Sequence, residues 1–183
     1  IHPSFDEIVK KILINDKKAK ILFINDEKKI LSKKLFNRFK KSISIGLDRI
    51  SFIERIKKES DFIKHCGTAS VLLDPLIFGA GNSFYESMFY GTPTVSMPTK
   101  YLKGRVVQGA YKQMKIDEPP IVNTIEKYVD KSIEIANLSS NISYEYKKHM
   151  KEQAEKYLYE NINFVKQLEK IFFKIINNFI EKW

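Results

Sequence analysis

The chain has 183 residues, the length of about one domain, with 43% hydrophobic and 30% charged residues. That balance excludes intrinsic disorder as the main state, and no run of about 18 apolar residues offers a membrane span. The formal net charge is +10, carried by 28 Lys and four Arg (Arg38, Arg49, Arg55 and Arg105), and residues 1–60 alone hold +8 of it. Basic proteins bind nucleic acid or anionic surfaces. Lysine is, however, the poorer bidentate reader of phosphates and guanines, so a solvated lysine face is the preferred reading and nucleic acid is unlikely as a partner. A single cysteine, Cys66, excludes an intrachain disulfide and a cysteine-based zinc site, and fits a reducing, cytoplasmic setting. The opening Ile1-His2-Pro3-Ser4-Phe5-Asp6 has no basic segment followed by an apolar one, so no signal peptide is expected. It also lacks an initiator Met, as expected of a piece of a longer protein.

Helix and strand signals alternate through the first two thirds. Ser4 and Glu7 form a capping-box pattern, and Phe5, Ile8, Val9, Ile12 and Leu13 recur at helical spacing. Residues 19–24 read as a strand, 28–40 as a helix, and 49–53 as a second strand. A charged helix or helical turn follows over 54–65, then a third strand over 69–73 that ends at Asp74-Pro75. A short helix over 82–90, a fourth strand over 94–97, a helix over 102–114 and an extended edge at 119–122 complete this part. Short strands separated by helices predict βαβ units, a parallel sheet with helices on both faces, and a ligand crevice beyond the carboxyl ends of the strands. From residue 123 onward the pattern is all helix. It ends in a wide apolar stripe of Phe164, Leu168, Ile171, Phe172, Ile175 and Phe179, expected to dock on the body or on a further domain. Two domains are therefore drawn: 1–122, and the helices of 123–183 packing on it.

The stretch most informative about chemistry runs from Leu73 to Glu86 and continues through Gly91-Thr92-Pro93. A strand ends at Asp74, a loop of small residues (Gly79-Ala80-Gly81) follows, and Asn82 or Ser83 caps a helix. Such a turn presents unpaired backbone N–H groups, and glycines let a phosphate approach. Glu86, one turn into the helix, is placed for the two vicinal hydroxyls of a ribose. No Gly-Lys-Ser/Thr follows, so the loop is not a Walker sequence. His2, His65 and His149 lie far apart and give no metal-ligand spacing. Asp74 reads as a structural Asp-Pro turn.

The wider order of these pieces resembles the SPINDLY and O-linked N-acetylglucosamine transferase group, glycosyltransferase family 41. The pieces are Asp-Pro, a small-residue loop, Asn-Ser, Glu, Gly-Thr-Pro and Gly104-Arg105-Val106. The resemblance runs from Ile1 to about Tyr159. It implies an α/β fold: a Rossmann-like parallel sheet with helices on both faces, the C-terminal half of a GT-B fold, followed by a C-terminal helical segment. It also implies a UDP-sugar as donor substrate, with no metal and no other cofactor. Carried over by position, Gly81, Asn82 and Ser83 fall at the donor diphosphate and Glu86 at the ribose, and Gly79 is counted to the same nucleotide-sugar-binding loop. Phe62, with Asp61 and His65 beside it, falls near the uracil, and Arg105 at the phosphate or sugar. The family has a further strand, bearing a Lys that contacts the diphosphate, just before Ile-His-Pro. Here that first strand, the acceptor-side half of the GT-B fold and any N-terminal repeat domain are not in the sequence. The reading is a nucleotide-sugar-binding fragment of an inverting glycosyltransferase acting on a protein or other acceptor, without activity by itself. A non-catalytic GT-B-like binding module and a basic nucleic-acid-binding domain are the alternatives.

Overall fold

A computed structural model describes residues 1–180. Helix α1 (Phe5–Asn15) puts Phe5, Ile8, Val9, Ile12 and Leu13 on one buried face, as their spacing requires. The Ser4 hydroxyl does not cap it; it lies 2.8 Å from His2 Nδ1 instead. Strand β1 (Ile21–Ile24) leads into α2 (Ile30–Ser42), which returns to β2 (Ile50–Ile53) as a parallel neighbour with Ile21 opposite Ile50. At the start of α2, Asp26 accepts hydrogen bonds from the Ile30 and Ser32 N–H groups and from the Ser32 hydroxyl. These bonds, the Ser32 N–H foremost, hold its carboxyl below the usual range. A second βαβ passage follows. After α3 (Glu59–Thr68), β3 (Leu72–Leu73) leads through α4 (Asn82–Met88) to β4 (Thr94–Val95), again parallel. Helices α5 (Val106–Gln113), α6 (Ile125–Ala136), α7 (Ser140–Tyr157) and α8 (Ile162–Ile180) complete the chain.

The protein is thus α/β with parallel strands and a helical C-terminal segment, and the structure sharpens the expectation in four places. Residues 54–58 are not helical, and α3 starts only at Glu59. The edge strand at 119–122 reduces to one parallel bridge between Ser96 and Ile121. Among the described residues the strands pair as two separate couples, β1 with β2 and β3 with β4, rather than as one ladder. On β1, Leu22 and Ile24 remain largely exposed. Finally, α6 and α7 bury residues against the body, but residues 162–179 of α8 are all exposed, so of the two expectations for its apolar stripe, the body or a further domain, the body does not cover it.

Two clusters form the core. One joins α1, α6 and the strands through Phe5, Leu13, Ile21, Ile50, Val95 and Tyr128. The other joins α4, α5 and α7 through Phe84, Met88, Tyr111 and Met150. A polar link ties the second cluster to the sheet. The buried Tyr111 hydroxyl accepts from the Thr94 N–H at 2.7 Å and donates to the Thr94 carbonyl at 3.2 Å. Burial raises that phenol far above its ordinary value, so it stays neutral. In Tyr111→Phe both β4 backbone groups lose their partner. The loss should cost about 1–3 kcal/mol, the penalty of unsatisfied buried groups, read as a lower urea midpoint at unchanged slope.

Candidate functional site

The carboxyl end of β3 is organised by one buried carboxylate. Asp74 is 4% exposed and accepts from the Ser96 hydroxyl beyond β4 and from the Ala80 N–H in the loop, both at 2.5 Å. Its own carbonyl accepts from the Tyr128 hydroxyl of α6 at 3.0 Å. Burial pushes the Asp74 carboxyl up, partly offset by the Ser96 and Ala80 hydrogen bonds. The loop it holds is tight: Ile77 has φ 75, a strained value for a β-branched residue, and the Gly79 N–H donates to the Lys103 carbonyl. A Cβ on Gly79 would sit 2.8 Å from Asp74 Oδ1. Asp74 by itself is therefore enough to require a glycine at position 79. Gly81 differs, since a Cβ there would meet open space. Gly91 is confined on both counts, with φ 65 and the Lys147 carbonyl of α7 against it, so Gly91-Thr92-Pro93 is a structural turn.

Beyond the loop, the Gly81, Asn82 and Ser83 N–H groups find no acceptor among the described residues. They lie at the start of α4, whose seven residues make only a short dipole. Glu86 is half-buried one turn further on. Burial first, and then the Glu59 carboxylate of α3, raises its carboxyl above the usual range. Glu86 also acts on Cys66, whose thiol is raised chiefly by burial. Glu59, Phe62 and Cys66 share one face of α3 by their spacing, so Phe62 stands on the face that meets Glu86. Phe62 and Glu86 therefore stand on the facing sides of α3 and α4, with the 81–83 amides at the start of α4. His65, on a different face of α3, is half-buried, and Asp61 is exposed. Arg105 is exposed at the N-cap of α5 and makes no ion pair among the described residues.

The sequence reading picked out Arg105 of the neighbouring loop but missed Lys103. Lys103 adjoins the glycine loop through its carbonyl, and its ammonium lies 5.9 Å from the Phe78 ring and 6.0 Å from the Tyr101 ring. Residues 96–116 contain five cations and no acid, which was the available signal. Two open grooves lie elsewhere: one includes Pro98, Gln108 and Lys127, the other Asn25, Lys33 and Phe52, and neither includes residues 79–86. Among the described residues no three His, Cys, Asp or Glu side chains converge as metal ligands. A double-mutant cycle tests the loop. Gly79→Ala should cost about 1–3 kcal/mol from overpacking, and less by about 1 kcal/mol or more when Asp74 is also Ser. Equal costs in both backgrounds, measured by urea unfolding, would separate Gly79 from Asp74.

No family model matches the chain. In sequence it is 22% identical over 142 residues to a probable UDP-N-acetylglucosamine–peptide N-acetylglucosaminyltransferase of Arabidopsis thaliana, covering 78% of this chain and 14% of the plant protein. In structure it matches a mutant of the O-GlcNAc transferase of Thermobaculum terrenum with a TM-score of 0.80 and 18% identity, covering 94% of this chain and 33% of that one. The chain spans well under half the length of either relative. It is O-GlcNAc-transferase-like in sequence and in fold, and corresponds to the C-terminal, GT-B-type part of such proteins.

Proposed function

We propose that these residues bind the nucleotide-sugar donor of an inverting glycosyltransferase, a UDP-sugar and in particular UDP-N-acetylglucosamine. The observation that carries the reading is the set of unpartnered 81–83 amides at the start of α4, with the half-buried Glu86 carboxyl one turn further on, beside α3. It lies in the part of the fold where the sequence resembles a transferase named for that donor. In this reading the Gly81, Asn82 and Ser83 N–H groups hold the diphosphate, aided by the Asn82 and Ser83 side chains and by Arg105 and Lys103. Glu86 accepts both ribose hydroxyls, and Phe62 lies against the base. An acceptor group attacks the anomeric carbon as the bond to the diphosphate oxygen breaks, and the amides and cations stabilise the charge that leaves. Stabilising that transition state takes groups on both sides of the reacting centre, so residues 1–183 are expected to bind donor without transferring sugar.

UDP should therefore raise the melting temperature of the protein, and no shift at millimolar UDP would remove the reading. Glu86→Ala should weaken UDP by about 1–3 kcal/mol, roughly 5- to 150-fold, by calorimetry. The pH dependence has two signs. Ribose binding needs the carboxylate, so affinity should fall as pH drops through the raised Glu86 value, and Glu86→Gln should lack that step. Folding prefers the protonated form, because a raised folded value means stability is present at low pH and is lost as pH rises through it. Glu86→Gln should then melt higher than the wild type at pH 7, and equal to it below the ordinary carboxylate range of about 4.

A further inference from the structure

We propose that the 99–105 loop and the groove beside α5 form a docking surface for a separate polypeptide, an acidic segment in extended conformation with apolar side chains among its carboxylates. The proposal does not depend on the donor reading. The loop supplies the exposed part. Tyr101 is 52% and Leu102 84% exposed, and Phe78 of the neighbouring loop is 72% exposed. They form one patch, because the Lys103 ammonium lies 5.9 Å from the Phe78 ring and 6.0 Å from the Tyr101 ring, and the Lys100 ammonium 5.3 Å from Tyr101. This exposure is built in. The Thr99 N–H donates to the Gly104 carbonyl at 3.2 Å, the Thr99 hydroxyl accepts from the Tyr101 N–H at 3.3 Å, and the Gly104 N–H donates to the Tyr101 carbonyl at 3.0 Å. Gly104 is buried, and a Cβ there would collide with the Thr99 hydroxyl. A loop pinned in this way holds Leu102 in water and loses little freedom when a partner covers it.

The groove continues from the loop. The single turn Leu102–Gly104 leads into α5, and Arg105 at the N-cap stands about one turn before Gln108. Gln108 lines an open groove of about 500 Å³ together with Pro98, Ile121, Val122, Asn123 and Lys127. It lies beyond the carboxyl end of β4, and its size suits a few side chains rather than a whole domain face.

Charge and hydrogen-bonding chemistry choose the occupant. Residues 96–116 contain five cations and no acid, and Lys100, Lys103, Arg105 and Lys127 make no ion pair among the described residues. Charge complementarity therefore asks for an acidic partner. The groove is apolar at Pro98, Ile121 and Val122, and polar at the side-chain amides of Gln108 and Asn123, each of which both donates and accepts. That pairing suits the N–H and C=O groups of an extended peptide, whose side chains alternate between groove and solvent. A nucleic acid would set its phosphates against the apolar lining, with one arginine on the whole face to grip them. A flat lipid surface would leave the groove empty. A second copy of the chain carries +10 and nowhere more than two acidic residues in succession.

Fluorescence anisotropy with a labelled peptide, Glu-Glu-Phe-Asp-Glu-Leu-Asp-Glu, tests the proposal at about 0.15 M salt, where diffuse attraction is screened. The peptide should bind, and a version with Gln at every acid should bind about tenfold more weakly. Leu102→Ser and Lys127→Glu should each weaken the acidic peptide about fivefold or more. Lys34→Glu in α2, the same change of net charge, should weaken it less than about twofold. Leu102, Lys127 and Lys34 are all exposed, so the three variants should melt as the wild type does. Equal losses in Lys127→Glu and Lys34→Glu would overturn the proposal by reducing binding to net charge, as would equal binding of the Gln version or no binding at all. Tighter binding of a thymidylate 12-mer, or of phosphatidylserine–phosphatidylcholine vesicles, weakened by the same two substitutions, would also overturn it. Leu102 and Lys127 lie outside the proposed donor contacts, so the outcomes separate. A UDP response without peptide binding overturns the docking alone, and peptide binding without a UDP response overturns the donor reading alone.

Discussion

The Asp74 carboxylate accepts from the Ser96 hydroxyl beyond the neighbouring strand and from the Ala80 N–H of the loop that follows, and the centre of the molecule is arranged around those two bonds. Burying a carboxylate is costly unless its lone pairs are taken up. Here they are, and the same residue receives Tyr128 of α6 on its carbonyl. Three consequences follow from one residue, two through its side chain and one through its backbone carbonyl. The strand pair β3–β4 is locked at its carboxyl end, the loop is drawn back so that Gly79 can have no Cβ, and α6 is tied to the sheet.

Stability and the proposed chemistry pull on Glu86 in opposite directions. Burial and the Glu59 carboxylate disfavour its charge in the folded protein, while two ribose hydroxyls would favour it. A group that the fold tolerates only at a cost is characteristic of sites, since a purely structural position would hold a neutral residue there. Lys147 shows the contrast. Burial lowers its ammonium, yet that ammonium donates to the Gly67 and Ala69 carbonyls at 2.9 and 2.7 Å, caps the end of α3 and is fully explained by the fold.

Much of this architecture was legible in the sequence, for physical reasons that also mark where legibility ended. Helices α1, α5, α6 and α7 follow from the spacing of residues such as Ile8 and Ile12 or Tyr128 and Ile135, because a buried face needs that period. The strands were placed correctly but drawn too long. Pairing depends on neighbours far away in sequence, so only Leu72–Leu73 of the 69–73 run and Thr94–Val95 of 94–97 form a ladder. The capping pattern at Ser4 misled because His2, two residues away, offered the hydroxyl a closer partner. Asp74 was read as a turn residue, but its bonds to Ser96 and Ala80 are tertiary and left no local mark. The glycines of the loop looked alike in sequence, whereas the fold gives Gly79 a neighbour and Gly81 none. The apolar stripe of α8 was plain, but a stripe shows only that a helix wants cover, not what supplies it.

The central claim is that a nucleoside diphosphate lies across the 81–83 amides and against the face shared by α3 and α4. Titrating uniformly ¹⁵N-labelled protein with UDP and following backbone amide shifts tests it most directly. The account predicts the largest shifts at Gly81, Asn82 and Ser83, with smaller ones at Phe62 and Glu86. Shifts confined to the groove that includes Gln108 and Lys127, or spread evenly over the lysine-rich surface of residues 1–60 and abolished by added salt, would contradict it.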